Sequence, residues 1–412
     1  LTAAASASAP PALAPVPALA ILCLSLAAFG SGINMRLNDA LLPQLATEFS
    51  VGLGQAAAVT SVFSIAYGIA QLFVGSLGER FGKFRLVAGA CLGCALSAAL
   101  CALAPDFGLL RLLRGLAGIM AAAVIPLSMA WIGDVVGYER RQPVLARFMI
   151  GQILGVSAGV WMGGFAADHL DWRAPYFVLA ALFAAVGVAL FLLQRRLPAH
   201  ARATRVEPGS PLQRIASDFR QVFAGRWARV ILACVFLEGM LLYGPFAFIA
   251  AHLHVTFALS LAMAGTLLML FGLGGLGFAL ASRRLVAGLG EVGLARQGGA
   301  VAAASLLLLA YAPAWGWVVP ACLGAGVGFY MLHNTLQVNA TQMVPERRGP
   351  AVSAFAACFF LGQAAGVSLS GWLSARIGTA HVIALGALGL LLVAWAFGTW
   401  RASRDRSAAP AT

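Results

Sequence analysis

Glu139-Arg140-Arg141-Gln142-Pro143 recurs 207 residues on (139 to 346) as Glu346-Arg347-Arg348-Gly349-Pro350. At the same spacing Phe148 meets Phe355, Gly155 meets Gly362 and Gly159 meets Gly366. A polar loop and the apolar run after it therefore occur twice, in the same direction, which is the trace of an internal repeat. Apolar runs surround both copies, each near the roughly 20 residues that a spanning helix needs. They read as helices at 18–47, 54–78, 84–104, 108–132, 143–167 and 174–194, then at 228–251, 258–281, 294–312, 315–341, 349–373 and 380–400. One long polar stretch, Arg195 to Trp227, divides six runs from six and carries Pro198, Pro208 and Pro211. The expected fold is an all-α membrane protein: twelve transmembrane helices in two pseudo-symmetric six-helix bundles, 18–194 and 228–400. A loop at 195–227 joins them, and 401–412 forms a tail. Residues 1–17 are rich in Pro, Ala and Ser and lack a basic leader, so they read as a disordered tail rather than a signal peptide.

Composition points the same way. Apolar residues make up 61% of the 412 and charged residues 10%, against about 45–50% and about 25% in soluble domains. Water cannot hold that surplus, so it must face lipid. The formal net charge of +13 is not gathered into a patch. It is spread over alternate gaps: Arg80, Lys83 and Arg85; Arg140, Arg141 and Arg147; the arginines of the central stretch; Arg283, Arg284 and Arg296; Arg347 and Arg348; Arg401, Arg404 and Arg406. This positive-inside pattern predicts an inner membrane location, with both termini and the central loop in the cytoplasm, and speaks against nucleic acid as a partner. Cys91 and Cys94 have redox-like spacing, but inside an apolar run they read as small packing residues. His252 and His254 resemble a metal pair by spacing alone, and no metal is expected. No G-x-S-x-G, H-E-x-x-H or G-x-x-x-x-G-K-[ST] occurs. The chain therefore reads as neither an enzyme nor an ATP-driven pump. No cofactor is expected, and an ion gradient such as the proton gradient would supply energy.

Gly75-Ser76-Leu77-Gly78-Glu79-Arg80-Phe81-Gly82-Lys83-Phe84-Arg85 resembles the loop signature G-x-L-a-D-r-x-G-r-k of the major facilitator superfamily. Glu79 stands for the usual Asp and Phe84 for a basic residue. Arg114-Gly115-Leu116-Ala117-Gly118 resembles the family's R-x-x-q-G element, with Ala117 in place of Gln. Gly151, Gly155, Gly159 and Gly163, every fourth residue, resemble the glycine motif of its antiporters, although Val156 replaces the usual Pro. They would also serve helix packing alone, since small residues let a partner backbone approach. Asn38-Asp39 with Pro43, and Pro345-Glu346-Arg347-Arg348-Gly349, are similar to elements of the twelve-helix drug:proton antiporter branch. The resemblance covers about residues 18–400 and implies the major facilitator fold. In the loops it implies a conformational latch: Gly75, Glu79, Arg80, Gly82, Lys83 and Arg85 in the first copy, with Glu79 paired to nearby arginines. Glu139, Arg140, Arg141, Glu346, Arg347 and Arg348 would complete it.

In that architecture the first, fourth, seventh and tenth helices line a central cavity. Their polar residues are Asn34, Arg36, Asn38 and Asp39; Arg111 and Arg114; Glu238 and Tyr243; His333, Asn334 and Gln337. Ionisable groups in a span are functional candidates by default. A carboxylic acid in an apolar cavity can take up and release a proton near neutral pH, which makes Asp39 and Glu238 the proton-coupling candidates, with Arg114 and His333 beside them. Two plainer readings stay open: Asp39 paired with Arg36, and Glu238 paired with Arg114. Asn34, Arg36, Asn38, Tyr243, Asn334 and Gln337 are the substrate-binding candidates. Arg111 lies nearer a surface, and Tyr243, Phe246 and Phe248 offer an aromatic wall. The expected function is secondary active transport of a small organic solute by a monomer in the lipid bilayer, as proton-coupled efflux. The alternative is nutrient import (sugar, organic acid or amino acid) by proton symport or uniport.

Overall fold

The computed structural model describes residues 18–202 and 211–408. The tail expected at 1–17, the middle of the central loop (203–210) and the end of the last tail (409–412) lie outside them. Six helices form the first half: α1 (Ala18–Glu48), α2 (Leu53–Phe81), α3 (Lys83–Ala102), α4 (Phe107–Val135), α5 (Arg140–His169) and α6 (Ala174–Arg196). The second half opens with α7 (Arg226–Phe257). A 51-residue stretch, Leu261–Tyr311, then turns once at Gly290, where φ is 62° and ψ 179°. It is two spans, α8 (261–289) and α9 (291–311). α10 (Trp315–Gln342), α11 (Pro345–Ile377) and α12 (Thr379–Arg404) complete the bundle. Twelve apolar helices result, and no strand occurs among the described residues.

Local chemistry explains the ends and breaks. Asp106 caps α4, its carboxylate accepting from the Leu109 amide at 2.9 Å. Ser260 caps α8 through the Met263 amide at 3.1 Å. Pro126 and Pro245 supply no N–H to the carbonyl four residues earlier. Accordingly α4 loosens between Phe107–Ala121 and Val124–Val135, and α7 carries a π-turn at Gly239–Tyr243. Between α8 and α9 the expected loop is absent. Helix-forming residues run on to Gly290, whose backbone angles are open only to glycine. Gly290→Ala is expected to cost about 1–3 kcal/mol, read as a lower thermal unfolding midpoint of the purified protein.

The repeat seen in the sequence is also a repeat in space. A Cβ on Gly155 would strike the Phe29 carbonyl, and one on Gly362 the Phe236 carbonyl. Gly159 lies on Ile33 and Gly366 on Met240 in the same way. These pairs share the 207-residue spacing, so α1 on α5 is repeated by α7 on α11.

The halves meet through α2 with α11 and α5 with α8. A Cβ on Gly54 would strike Gly371 and one on Gly68 would press on the Ala357 carbonyl, whereas a Cβ on Gly75 or Gly349 would meet nothing within 4 Å among the described residues beyond its own stretch of chain. On the other seam Gly164 lies against the Leu261 carbonyl, and Gly277 and Gly288 are open. The halves are therefore closed from the face opposite the basic loops to the middle of the bundle, and they part toward the basic face. A cleft of about 510 Å³ opens there between Gln71, Glu79, Pro126 and Arg347. The central stretch, expected to be loop, includes a short helix, Pro211–Ala224. It lays Ile215 and Phe219 against this cleft and buries Val222.

Candidate functional site

Arg36 on α1 is the centre of the closed region. Its Nη1 donates to Asp39 Oδ2 at 3.3 Å and its Nη2 to Gln363 Oε1 on α11 at 3.1 Å. The guanidinium carbon lies 3.7 Å from the centre of the Tyr243 ring on α7. Gln363 Nε2 donates in turn to Ser64 Oγ on α2 at 2.9 Å, and Ser368 Oγ donates to Ser61 Oγ at 3.1 Å. Asp39 is wholly buried, and its Oδ1 has no partner among the described residues. Desolvating these charges costs several kcal/mol each unless they are paired, so the network holds together as a unit.

A second network backs the first. Arg114 on α4 donates through Nη1 to Asn34 Oδ1 at 2.6 Å and through Nη2 to the Asn34 carbonyl at 2.9 Å. Its guanidinium lies 4.3 Å from the Phe63 ring. With the Asn38 amide oxygen turned to Arg114, that oxygen accepts from Nε at 3.2 Å, and the amide nitrogen donates to the Tyr176 hydroxyl at 2.6 Å. Arg114 thus pairs with neutral groups of its own half. The pairing of Glu238 with Arg114 is not formed: Arg114 is taken up by Asn34, and Glu238 lies beside His333. The pairing of Asp39 with Arg36 is formed.

Glu238 on α7 is also wholly buried, and its Oε2 lies 2.8 Å from His333 Nδ1 on α10. A carboxylate accepts only, so one proton lies between the two groups. Glu238 Oε1 has no partner among the described residues. The imidazole packs on Phe329, Phe355 and Phe359 at 4.9–5.4 Å, and 19% of its side chain is exposed. Asn334 is half-buried and Gln337 exposed, further along α10 toward the basic face. Tyr243 and Phe246 join Phe271, Phe329 and Phe359 in one aromatic cluster, with Tyr243 ring separations of 5.2–6.1 Å. Phe248 is wholly buried, and Arg111 is exposed. His252 bonds Thr379 and His254 the Leu259 carbonyl, so the two rings serve different partners.

Most of the latch candidates are exposed on the basic face. Lys83 pairs with Asp134 at 2.5 Å, while Glu79 and Arg80 are exposed and Glu79 forms no ion pair with a described residue. Gly82 turns the chain at φ 90°; Gly75 and Arg85 are exposed. Arg140 is exposed, Arg141 donates to the Val136 carbonyl at 3.3 Å, and the Glu139 side chain lies outside the described residues. Arg347 pairs with Asp218 of the short linker helix at 3.0 Å. Glu346 and Arg348 are exposed on the cleft. In the second half, Glu291 just after Gly290 accepts from Arg401 at 2.9 Å and from Asn339 at 3.0 Å. This mirrors Lys83 after Gly82 with the charges exchanged.

Gln363, Ser64 and Tyr176 were not legible as site residues, being single polar groups in apolar runs. One contact did leave a signal: Arg36 and Tyr243 stand 207 residues apart, so they occupy equivalent places in the repeat and meet at its axis.

Residues 24–367 match the profile of the Major Facilitator Superfamily. An uncharacterised MFS-type transporter of Bacillus subtilis, YceJ, is 26% identical over 352 residues, which is 84% of this chain and 86% of that protein. The multidrug export protein EmrB of Escherichia coli is 26% identical over 186 residues, 45% of this chain and 35% of EmrB. Among solved structures, a nucleoside transporter, NupG, superposes with a TM-score of 0.74 at 16% identity, covering 92% of this chain and 99% of that one.

Proposed function

The chain belongs to the major facilitator superfamily and is a multi-pass membrane transporter of small molecules; from that premise we propose that it exports an organic solute in exchange for protons. The observation that carries this reading is the pair of wholly buried carboxyl groups, Asp39 and Glu238, one in each half, each with one oxygen that has no partner among the described residues. A buried acid that gains or loses a proton changes the cost of its surroundings by several kcal/mol. That is enough to bias one arrangement of the halves against another. EmrB, named a multidrug export protein, supports the direction. In this reading the basic face is cytoplasmic and the cleft opens inward. The solute meets His333, Asn334, Gln337 and the aromatic cluster, and the halves rock about that region to expose it alternately on each side. One chain carries every part of this path, so a monomer suffices.

Proteoliposomes holding the purified protein, loaded with a panel of organic compounds and given a pH gradient of either sign, test the proposal. Export that requires opposed proton flow supports it. Movement parallel to the proton, or indifferent to it, sinks it and makes the protein a symporter or uniporter for a nutrient.

A further inference from the structure

We propose that Gln363 and Asp39 are rival acceptors for Arg36, and that a proton on Asp39 decides between them: Gln363 holds Arg36 while the outer face is shut, Asp39 alone when it opens. The inference rests on the proton-exchange reading and gives it a working part.

The geometry sets the rivalry. Asp39 lies one turn from Arg36 on the same helix and travels with it. Gln363 and Tyr243 belong to the other half. Gln363 is stitched to two helices of the first half, accepting from Arg36 and donating to Ser64, and it is 1% exposed. When the halves part at the outer face, both bonds break. Arg36 is 3% exposed, and a guanidinium so placed needs an acceptor to replace the one it loses. The replacement is at hand in Asp39 Oδ1, buried and without a partner among the described residues. Taking it converts a single contact at 3.3 Å into the two-pronged guanidinium–carboxylate pair, the strongest such arrangement.

A proton on Asp39 removes that option. The neutral acid offers no charge and one acceptor fewer, while the Gln363 amide does not titrate. Protonated Asp39 therefore leaves Arg36 to Gln363, and the outer face closes; ionised Asp39 claims Arg36, and it opens. The other groups that act here do not reverse this sign. Arg114 on α4 acts on Asp39 across space and keeps its charge throughout. Tyr243 on α7 presents a ring face, and Glu238 beyond it is occupied by His333. α2 and α11 contribute neutral Ser64 and Gln363, and Tyr176 on α6 acts through Asn38. The order suits exchange: a proton entering from outside shuts the outer face behind it.

The test places spin labels at Gln55→Cys and Ala375→Cys, exposed at the outer ends of α2 and α11, in the full chain in lipid nanodiscs. Distances are read at about pH 5 and about pH 8, which bracket the near-neutral window in which a carboxyl group of an apolar cavity takes up and releases a proton. The wild type should be short at the lower pH and gain a long population at the higher. Asp39→Asn should stay short at both, Gln363→Ala should be long at both, and Gln363→Glu, a carboxylate in the latch, should be short at both. A wild-type pH response in Gln363→Ala or Gln363→Glu overturns the proposal, as does opening of Asp39→Asn at the higher pH. The Glu variant keeps the side chain's size, so it carries the test if the Ala variant fails to fold. If the wild type transports without proton exchange and Gln363→Glu still shuts the outer face, the efflux reading fails and the latch stands. If exchange is present and neither variant moves the distance, the latch fails alone.

Discussion

Asp39→Asn is expected to reduce pH-driven transport in proteoliposomes to the level of protein-free vesicles, while the protein still folds and still binds its solute from the basic face. The substitution is nearly isosteric, and the amide oxygen can still accept from Arg36, so the buried network keeps its hydrogen bond. What it loses is the capacity to exist in two protonation states. A ligand or proton shifts a conformational equilibrium only by its differential affinity for the two states, and a group that cannot titrate has none. Folding is checked by gel filtration and thermal unfolding, binding by equilibrium titration with a compound the wild type transports. If Asp39→Asn keeps wild-type pH-driven transport, Asp39 is a structural partner of Arg36, and the proton must travel through Glu238 and His333. Glu238→Gln separates these cases. It should also abolish driven transport if both acids take part, and it should be the only damaging substitution of the two if Asp39 is structural.

The fold was legible because lipid imposes a simple rule. Every span must satisfy its own backbone and show apolar side chains outward, so twelve runs and a repeated loop could be read directly. The exception is instructive. The stretch 282–293 was expected to be a loop because it holds Arg283, Arg284 and Glu291, yet it is helical up to Gly290. Charges at a bilayer surface do not break a helix; a backbone turn does. The site was legible in its ionisable groups, which stand out in apolar runs, and not in their partners. Arg36 was visible, and so was the option of Asp39 beside it one turn on. Gln363 was not, because its role depends on which helices of the two halves meet. Lys83 illustrates the same limit: the nearby Glu79 was the expected anion in that loop, but Lys83 pairs with Asp134, 51 residues on. A short loop read along the chain shows which charges are neighbours in sequence, whereas helix packing decides which are neighbours in space.

Gly155→Leu and Gly362→Leu should each prevent recovery of a folded transporter, and for the same reason. At Gly155 the α5 backbone lies so close to the Phe29 carbonyl of α1 that even a methyl group has no room, and Gly362 stands in that relation to Phe236 of α7. The obstacle is main chain, which cannot turn aside as a side chain can. Forcing extra atoms into a packed core costs about 1–3 kcal/mol and sometimes more, and here the whole helix must move outward along a seam that also carries Gly151, Gly159 and Gly163. Attraction between helices in lipid comes from close packing, with no hydrophobic drive to replace it, so separation removes much of what joins α1 to α5. Alanine at either site should lower the thermal midpoint, with leucine giving aggregated or degraded protein on gel filtration. As a control, Gly75→Leu has open space around it and should leave folding unchanged. If Gly155→Leu and Gly362→Leu run as monodisperse, wild-type-stable protein, the glycine stripe is not the packing seam described. If only one of the pair is damaging, the two halves do not share the stability that their common geometry implies.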